Sequence, residues 1–393
     1  VTHRLLFLCG SLVPGKDGVG DYTRKLAAEL VAAGKGVLLV ATHDKGISAV
    51  AEEQQPEGRE SIPVLRIPYH TPGADRARLL QRAIEDFNPD YLSLQYVPYS
   101  FSPYGLPFAF LRQLGRLRHR GQWHIMFHEL WIVHRGLLTP KATAVSALQR
   151  LAVRIAATTL RPGVVHTHIP GYQERLRRLG VAALPLPLFA NILPQSTDGG
   201  PAAAHPVDIF RLGFFSQFIP ERVIPFIRDL ESWLTASGRR LEIRLLGGGT
   251  AKVEQPRQTL AGQFPNASLV APGFLSPGAL SRELHALDLG ITPVDHHLIG
   301  KSGTVAAFLH HGVPVAAPYR TEHATPFFTP GLSAAVIETF TPEGLAGATH
   351  AARALDTHPI SPAGVARRFG DDLGLTAGQD LHHSTSDSAH RRR

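Results

Sequence analysis

The sequence predicts an α/β protein built from two Rossmann-like, doubly wound parallel sheets. Three observations predict it. The 393 residues suffice for about two to three domains of ordinary size. Short apolar runs alternate with amphipathic stretches in both halves, as strand–helix–strand units require. A passage without periodicity, PQSTDGGPAAAH at 194–205, separates two passages of the same rhythm. The expected boundaries are a first domain at 1–193, a linker at 194–206 and a second domain at 207–379, whose last helices are free to pack back on the first. The Ser-, His- and Arg-rich residues 380–393 are expected to form a disordered tail.

The first unit sets the pattern. LLFLC at 5–9 reads as a strand buried on both faces. A glycine-rich loop follows, then a helix over 21–33 with Leu26, Ala27, Leu30 and Val31 on one side and Gly34 as its stop. The run at 36–40 is the next strand, so the pair is parallel with a right-handed crossover. Further strands are expected at 64–67, 91–96, 124–128 and 164–167, with helices at 74–86 and 142–159. The second half repeats the alternation. Its strands fall at 209–215, 241–246, 269–273, 289–292 and 313–317, and its helices at 223–236, 276–286 and 303–311.

Composition narrows the function classes. With 44% hydrophobic and 18% charged residues the chain is an ordinary globular sequence. A single cysteine, Cys9, excludes a disulfide framework and any Cys-based zinc site. No apolar run reaches the ~20 residues of a membrane-spanning helix. The short apolar stretch near the start runs straight into the strand pattern, so it is not read as a signal peptide, and a cytoplasmic location is expected. Forty Lys and Arg against 32 Asp and Glu give a net charge of +8, which suits an anionic partner such as a nucleotide or a phosphorylated substrate. The arginines are scattered and not interleaved with aromatics, so nucleic acid is not expected. FAFLRQLGRLRHR at 108–120 is basic and amphipathic. A helix with a solvated basic face is preferred there over a membrane-surface helix.

Several places carry candidate chemistry. SLVPGKDGVGDY at 11–22 lies between a strand and a helix N-terminus. There Gly18 and Gly20 let backbone N–H groups approach a phosphate or sugar, and Asp17 supplies a carboxylate. It is neither a Walker A loop nor a dinucleotide fingerprint, and a plain tight turn is the alternative. His128 and Glu129 follow an apolar strand, where an imidazole can donate to a substrate oxygen or take a proton and a carboxylate can orient an acceptor hydroxyl. A histidine satisfied by backbone is the alternative. Trp131, His134 and Arg135 share that loop. HHLIGKSGT at 296–304 joins the cation of Lys301 to a helix start at Ser302, Gly303 and Thr304, the strongest anion-site candidate in the chain, with a simple N-cap as the alternative. The neighbouring pair His296 and His297 is not expected to share a metal, since adjacent strand residues point to opposite faces. Gly247 and Gly248 after a strand offer bare backbone to a base or ribose, and Arg222, beyond Gly213, is placed to reach a diphosphate.

Taken together, these pieces resemble the nucleotide-sugar glycosyltransferases of the GT-B fold, in the large retaining group that includes sucrose-phosphate synthases and mannosyltransferases. The resemblance runs over about residues 3–350. It rests on GVGDYTRKLAAEL at 18–30, FHEL at 127–130, LGFFSQFIPER at 212–222, LLGGG at 245–249 and HHGVPVAAP at 310–318. It implies two domains facing a central cleft, with the acceptor mostly on the first and the donor on the second, and neither a bound metal nor a permanent cofactor. The donor it implies is a nucleotide-sugar, with a UDP-sugar favoured. His128, Glu129 and Asp17 form the implied catalytic set. Gly18, Gly20, Gly213, Arg222, Gly247, Gly248, Lys301, Ser302, Gly303 and Thr304 form the implied donor site. The chain departs from the family at Ile299 and Ala307, where two glutamates usually stand, and at Gln217, where an arginine usually stands. Ala307 motivates the alternative expectation, a catalytically inactive binding or regulatory subunit paired with an active transferase.

Overall fold

A computed structural model describes residues 2–132, 139–195, 206–215, 219–247 and 250–375. The expected linker lies largely outside the described residues, and the expected tail wholly outside them. Fourteen strands are described: β1 Arg4–Cys9, β2 Gly36–Asp44, β3 Ala51–Glu57, β4 Glu60–Pro68, β5 Tyr91–Tyr96, β6 Gln122–Phe127, β7 Val164–Thr167, β8 Leu184–Pro185, β9 Ile209–Phe214, β10 Arg240–Leu245, β11 Ser268–Val270, β12 Leu289–Ile291, β13 Val315–Ala316 and β14 Val336–Ile337. They form an eight-stranded sheet in the order β3-β4-β2-β1-β5-β6-β7-β8 and a six-stranded sheet in the order β11-β10-β9-β12-β13-β14. Every pairing is parallel except β3 with β4. This is the doubly wound α/β architecture that the alternation predicts.

The β3–β4 hairpin is new to the sequence reading. β3 reads AEEQQPE, polar throughout and interrupted by Pro56, so it carries no apolar signal. It survives as an edge strand, where a proline and charges are tolerated, because β4 supplies the apolar residues Ile62, Val64, Leu65 and Ile67.

In each sheet the strand order reverses beside the first strand of its half. β1 has β2 on one side and β5 on the other, and β9 has β10 and β12. The strand ends at such a reversal open a crevice, and this decides where a site lies. The helix Gly18–Ala32 starts at the first crevice. Asp17 caps it by accepting from the Gly20 N–H at 2.7 Å. The Gly20 Cα lies so close to the preceding loop that a Cβ would sit 2.5 Å from the Ser11 carbonyl oxygen, so the loop requires glycine there.

Both faces of the first sheet are covered. Leu92, Leu94, Tyr96, Ile125 and Phe127 pack on one side with helices Gly73–Phe87 and Pro140–Leu160. The helix Phe108–Leu114 turns Phe110, Leu111 and Leu114 into that core, so the apolar side of the basic stretch is occupied by protein. On the other side Phe7, Leu39 and Met126 meet Tyr22 and Leu26 of helix Gly18–Ala32 and Val365 and Phe369 of helix Pro362–Asp372. The Phe369 ring stacks on Phe7 with centroids 5.9 Å apart. Leu373 accepts a hydrogen bond from the Tyr91 hydroxyl at 2.5 Å. The helix Pro362–Asp372, which follows the second sheet in sequence, therefore packs on the first.

Phe369 is fully buried at this junction. Phe369→Ala is expected to cost about 3–5 kcal/mol in urea unfolding. A loss below about 1 kcal/mol would mean that this helix does not pack there.

Candidate active site

Loops after β1, β5, β6 and β7 meet the segment His296–Lys301 and the start of helix Gly303–His310 across a cavity of about 350 Å³. Asp17, Gly18, Tyr22, His128, Glu129, His168, Lys301 and Gly303 line it, with Val97, Ser100 and Asn191 beside them. The sequence motifs at 11–22, 127–130 and 296–304 therefore converge on one space.

Lys301 bridges the two halves. Its ammonium lies 3.4 Å from the Glu129 carboxylate and 5.2 Å from the Tyr172 ring centre. Burial pulls its pKa down, but Tyr172 and Glu129 outweigh that and hold it above the ordinary value, so it is a cation at every physiological pH. Ser302 caps helix Gly303–His310 by accepting from the Val305 N–H at 3.4 Å, and its hydroxyl lies 3.0 Å from that of Thr304. The cavity thus holds a fixed ammonium beside a helix N-terminus, an arrangement that attracts an anion. A second bridge, Arg175 to Glu322 at 2.8 Å, ties the halves nearby.

His128 is committed on both ring nitrogens. Nε2 lies 2.8 Å from Gln95 Oε1, and Nδ1 lies 2.9 Å from His168 Nε2. Burial, then the charges of His168 and Lys301, push its pKa well below the ordinary range, and burial pushes His168 down to about 3. The sequence reading has the His128 imidazole donating to substrate or taking its proton, whereas in the free protein both of its nitrogens meet protein partners. In this arrangement neither nitrogen is free, although His128 lines the cavity. Tyr22 stands edge-on to both imidazoles, 5.0 and 5.4 Å between ring centres, and stacks on Phe189 at 4.5 Å. Asp17 also lines the cavity. Burial raises its pKa, and the hydrogen bonds from Gly20 and Val19 oppose the rise.

Other expected residues lie elsewhere. Gly20 serves the close approach described above. Gly213 sits within β9, where a Cβ would lie 2.3 Å from Leu287, so its role there is packing. The Arg222 guanidinium covers the Tyr319 ring at 3.9 Å and donates to the Pro293 carbonyl at 2.5 Å. Gly247 takes φ +77 against the Phe215 ring. None of these lines the cavity. Gly248, His134, Arg135 and Gln217 lie outside the described residues. Trp131 lies under the Arg150 guanidinium at 5.4 Å. Ile299 and Ala307 are both buried in the core of the second sheet. His296 and His297 turn to different partners, His296 to Glu338 and His297 to Asp295.

Gln95, His168 and Tyr22 were not singled out from sequence. A signal was present: LSLQY alternates polar with apolar, and HIMFH and VVHTH place histidines at even spacings, hence on one face, in strands expected to be apolar on both faces.

Comparison with known proteins bears on the fold. Residues 17–191 match the family model of the glycosyl transferase 4-like domain. No curated protein matches the chain. A glycosyltransferase from Rickettsia africae superposes with a TM-score of 0.60 at 10% identity, over 95% of this chain and 99% of that one. Anabaena HepE, solved with UDP and glucose, gives 0.57 at 14% identity over 95% and 100%. The trehalose 6-phosphate synthase of Burkholderia multivorans gives 0.56 at 11% over 96% and 99%. The chain has the GT-B glycosyltransferase fold along nearly its whole length, and it carries the family's likeness at 17–191.

The Tyr22 hydroxyl is buried without a hydrogen-bond partner among the described residues. Removing it removes an unsatisfied group. Tyr22→Phe is thus expected to leave the free protein as stable as before or up to about 1 kcal/mol more stable in urea. A clear destabilisation would reveal a partner for that hydroxyl.

Proposed function

We propose that this protein is a glycosyltransferase that moves a sugar from a nucleotide-sugar, with a UDP-sugar favoured, to a hydroxyl acceptor. One observation carries the reading: Lys301 and the N-terminus of helix Gly303–His310 face Asp17, Gly18 and Glu129 across a single cavity at the strand ends of both halves. The donor's diphosphate belongs against Lys301 and Gly303, and its sugar against Gly18 and His128. The solved HepE structure with UDP-glucose supports this class of donor. The bond from the anomeric carbon to the diphosphate oxygen breaks, and a bond to the acceptor oxygen forms. The acceptor attacks on the face from which the diphosphate departs, which retains the anomeric configuration, and its proton goes to the departing diphosphate. The negative charge that develops on the leaving group meets a preorganised ammonium and helix N-terminus, which is the main catalytic effect. That field stands where other enzymes use a metal ion, so transfer is expected without one.

A second cavity of about 470 Å³ adjoins the first and shares Asp17 and Ser100 with it. Gly10, Ser11, Lys16, His43 and Lys45 line it. We assign it to the acceptor. Lys16 and Lys45 form no ion pair among the described residues, which favours an acceptor carrying an acidic group.

Titration of UDP, GDP, ADP and dTDP in the presence of EDTA tests the donor. UDP is expected to bind and, at about 100 times its Kd, to add about 2.7 kcal/mol of apparent stability. Lys301→Ala is expected to weaken it at least ~10-fold, about 1.4 kcal/mol. Binding of no nucleotide by the native chain would sink the transferase reading and favour a binding subunit. The double substitution Lys16→Ala, Lys45→Ala is expected to raise the acceptor KM with UDP binding unchanged. An unchanged KM would remove the second cavity from the acceptor's path.

A further inference from the structure

One face of β5, β6 and β7 carries a continuous row of buried polar side chains beneath the cavity. It starts at Asp372 on helix Pro362–Asp372. Asp372 Oδ2 lies 3.1 Å from His166 Nε2, and His166 Nδ1 lies 3.0 Å from His124 Nε2. His124 Nδ1 lies 2.8 Å from the Ser93 hydroxyl, which lies 2.7 Å from the Gln95 amide nitrogen. The Gln95 oxygen meets His128 Nε2 at 2.8 Å, His128 Nδ1 meets His168 Nε2 at 2.9 Å, and His168 Nδ1 meets the Leu186 carbonyl oxygen at 2.9 Å. Ser93, Gln95, His124, His128, His166 and His168 are all buried.

Both ends of the row, a carboxylate and a carbonyl, only accept. Seven hydrogen bonds need seven hydrogens. Four neutral imidazoles supply one each, Ser93 supplies one, and the Gln95 amide supplies one along the row. The row is one hydrogen short. If every ring is neutral, one contact of about 3 Å has two acceptors facing each other, whichever way the Gln95 amide is turned.

We propose that the row holds one proton more than its neutral rings, carried as an imidazolium at His166 against Asp372, and that this charge sets which nitrogen of His128 bears hydrogen. With His166 doubly protonated, each link has its hydrogen. His166 donates to Asp372 and to His124, His124 to Ser93, and Ser93 to the Gln95 oxygen. The Gln95 amide nitrogen, turned toward the cavity, donates to His128 Nε2. His128 Nδ1 donates to His168, and His168 Nδ1 to Leu186. Asp372, His166 and Gln95 are then positioning residues for His128.

The surrounding charges choose the end. Asp372 is the only carboxylate in the row, and it also accepts from Arg368 at 2.7 Å. Lys301 opposes a positive charge at His128 and His168, while Glu129 is held by Lys301 and Tyr22 covers both rings edge-on. For His166 taken alone, burial outweighs the pull of Asp372 and lowers its pKa, with Arg368 acting in the same direction. The row titrates as a unit, however, and neutralising His166 breaks a hydrogen bond somewhere along it. This count is independent of what the cavity binds.

The test is nitrogen NMR of the full chain labelled with 15N-histidine at about pH 8, where exposed histidines are neutral. Ring-nitrogen shifts separate the two neutral tautomers from the imidazolium. One imidazolium is expected that the His166→Gln variant removes, which assigns it to the row. Gln95→Met cuts the row into two pieces that neutral rings satisfy completely, so the imidazolium is expected to vanish. Asp372→Asn supplies the missing hydrogen from its amide, with the same result. The dispersion of the other histidine signals reports whether each variant is folded. No imidazolium in the native chain would overturn the proposal. Its survival in folded Gln95→Met would also overturn it, since a simple His166–Asp372 ion pair would then explain the charge.

Discussion

A parallel sheet must be covered on both faces, and most of what this protein does follows from how the second face of its first sheet is covered. One cover comes from the helix Gly18–Ala32, which follows β1 directly. The other comes from Pro362–Asp372, which returns after the whole second sheet. The returning helix places Phe369 on Phe7 and Asp372 on His166. The same face ends, toward the strand termini, at His128, His168 and Tyr22. Packing at one end and the cavity at the other are therefore parts of one buried layer.

The architecture was legible because parallel strands write themselves as apolar runs. β5 and β7 coincide with the expected spans, and most helices differ by a residue or two at each end. What was hidden has physical reasons. β3 is held by its neighbour and has no apolar pattern of its own. The helix Thr250–Gln263 contains Pro256, which argues against a helix locally.

The site was legible in part. Three motifs that were separate in sequence line one cavity, because each follows a strand end. The reading of single residues went less far. A glycine between strand and helix looks the same whether it faces a ligand or packs. Only the fold separates Gly18, which lines the cavity, from Gly20 and Gly213, which fit against Ser11 and Leu287. His128 shows the reverse problem. Its chemistry depends on Gln95 and His168, more than thirty residues away in either direction, which no local spacing reveals.

The returning helix also orders events during synthesis. Contacts such as Lys35 to the Leu375 carbonyl and Tyr91 to Leu373 join residues 340 and 282 positions apart. The first sheet can pair its strands while the ribosome is still translating the second half, yet it cannot close. Phe7, His124 and His166 lack their contacts with Phe369 and Asp372 until the returning helix has left the exit tunnel. The first sheet is thus made before the helix that completes its cover, and the nascent chain carries an incompletely covered apolar surface while the second sheet is translated.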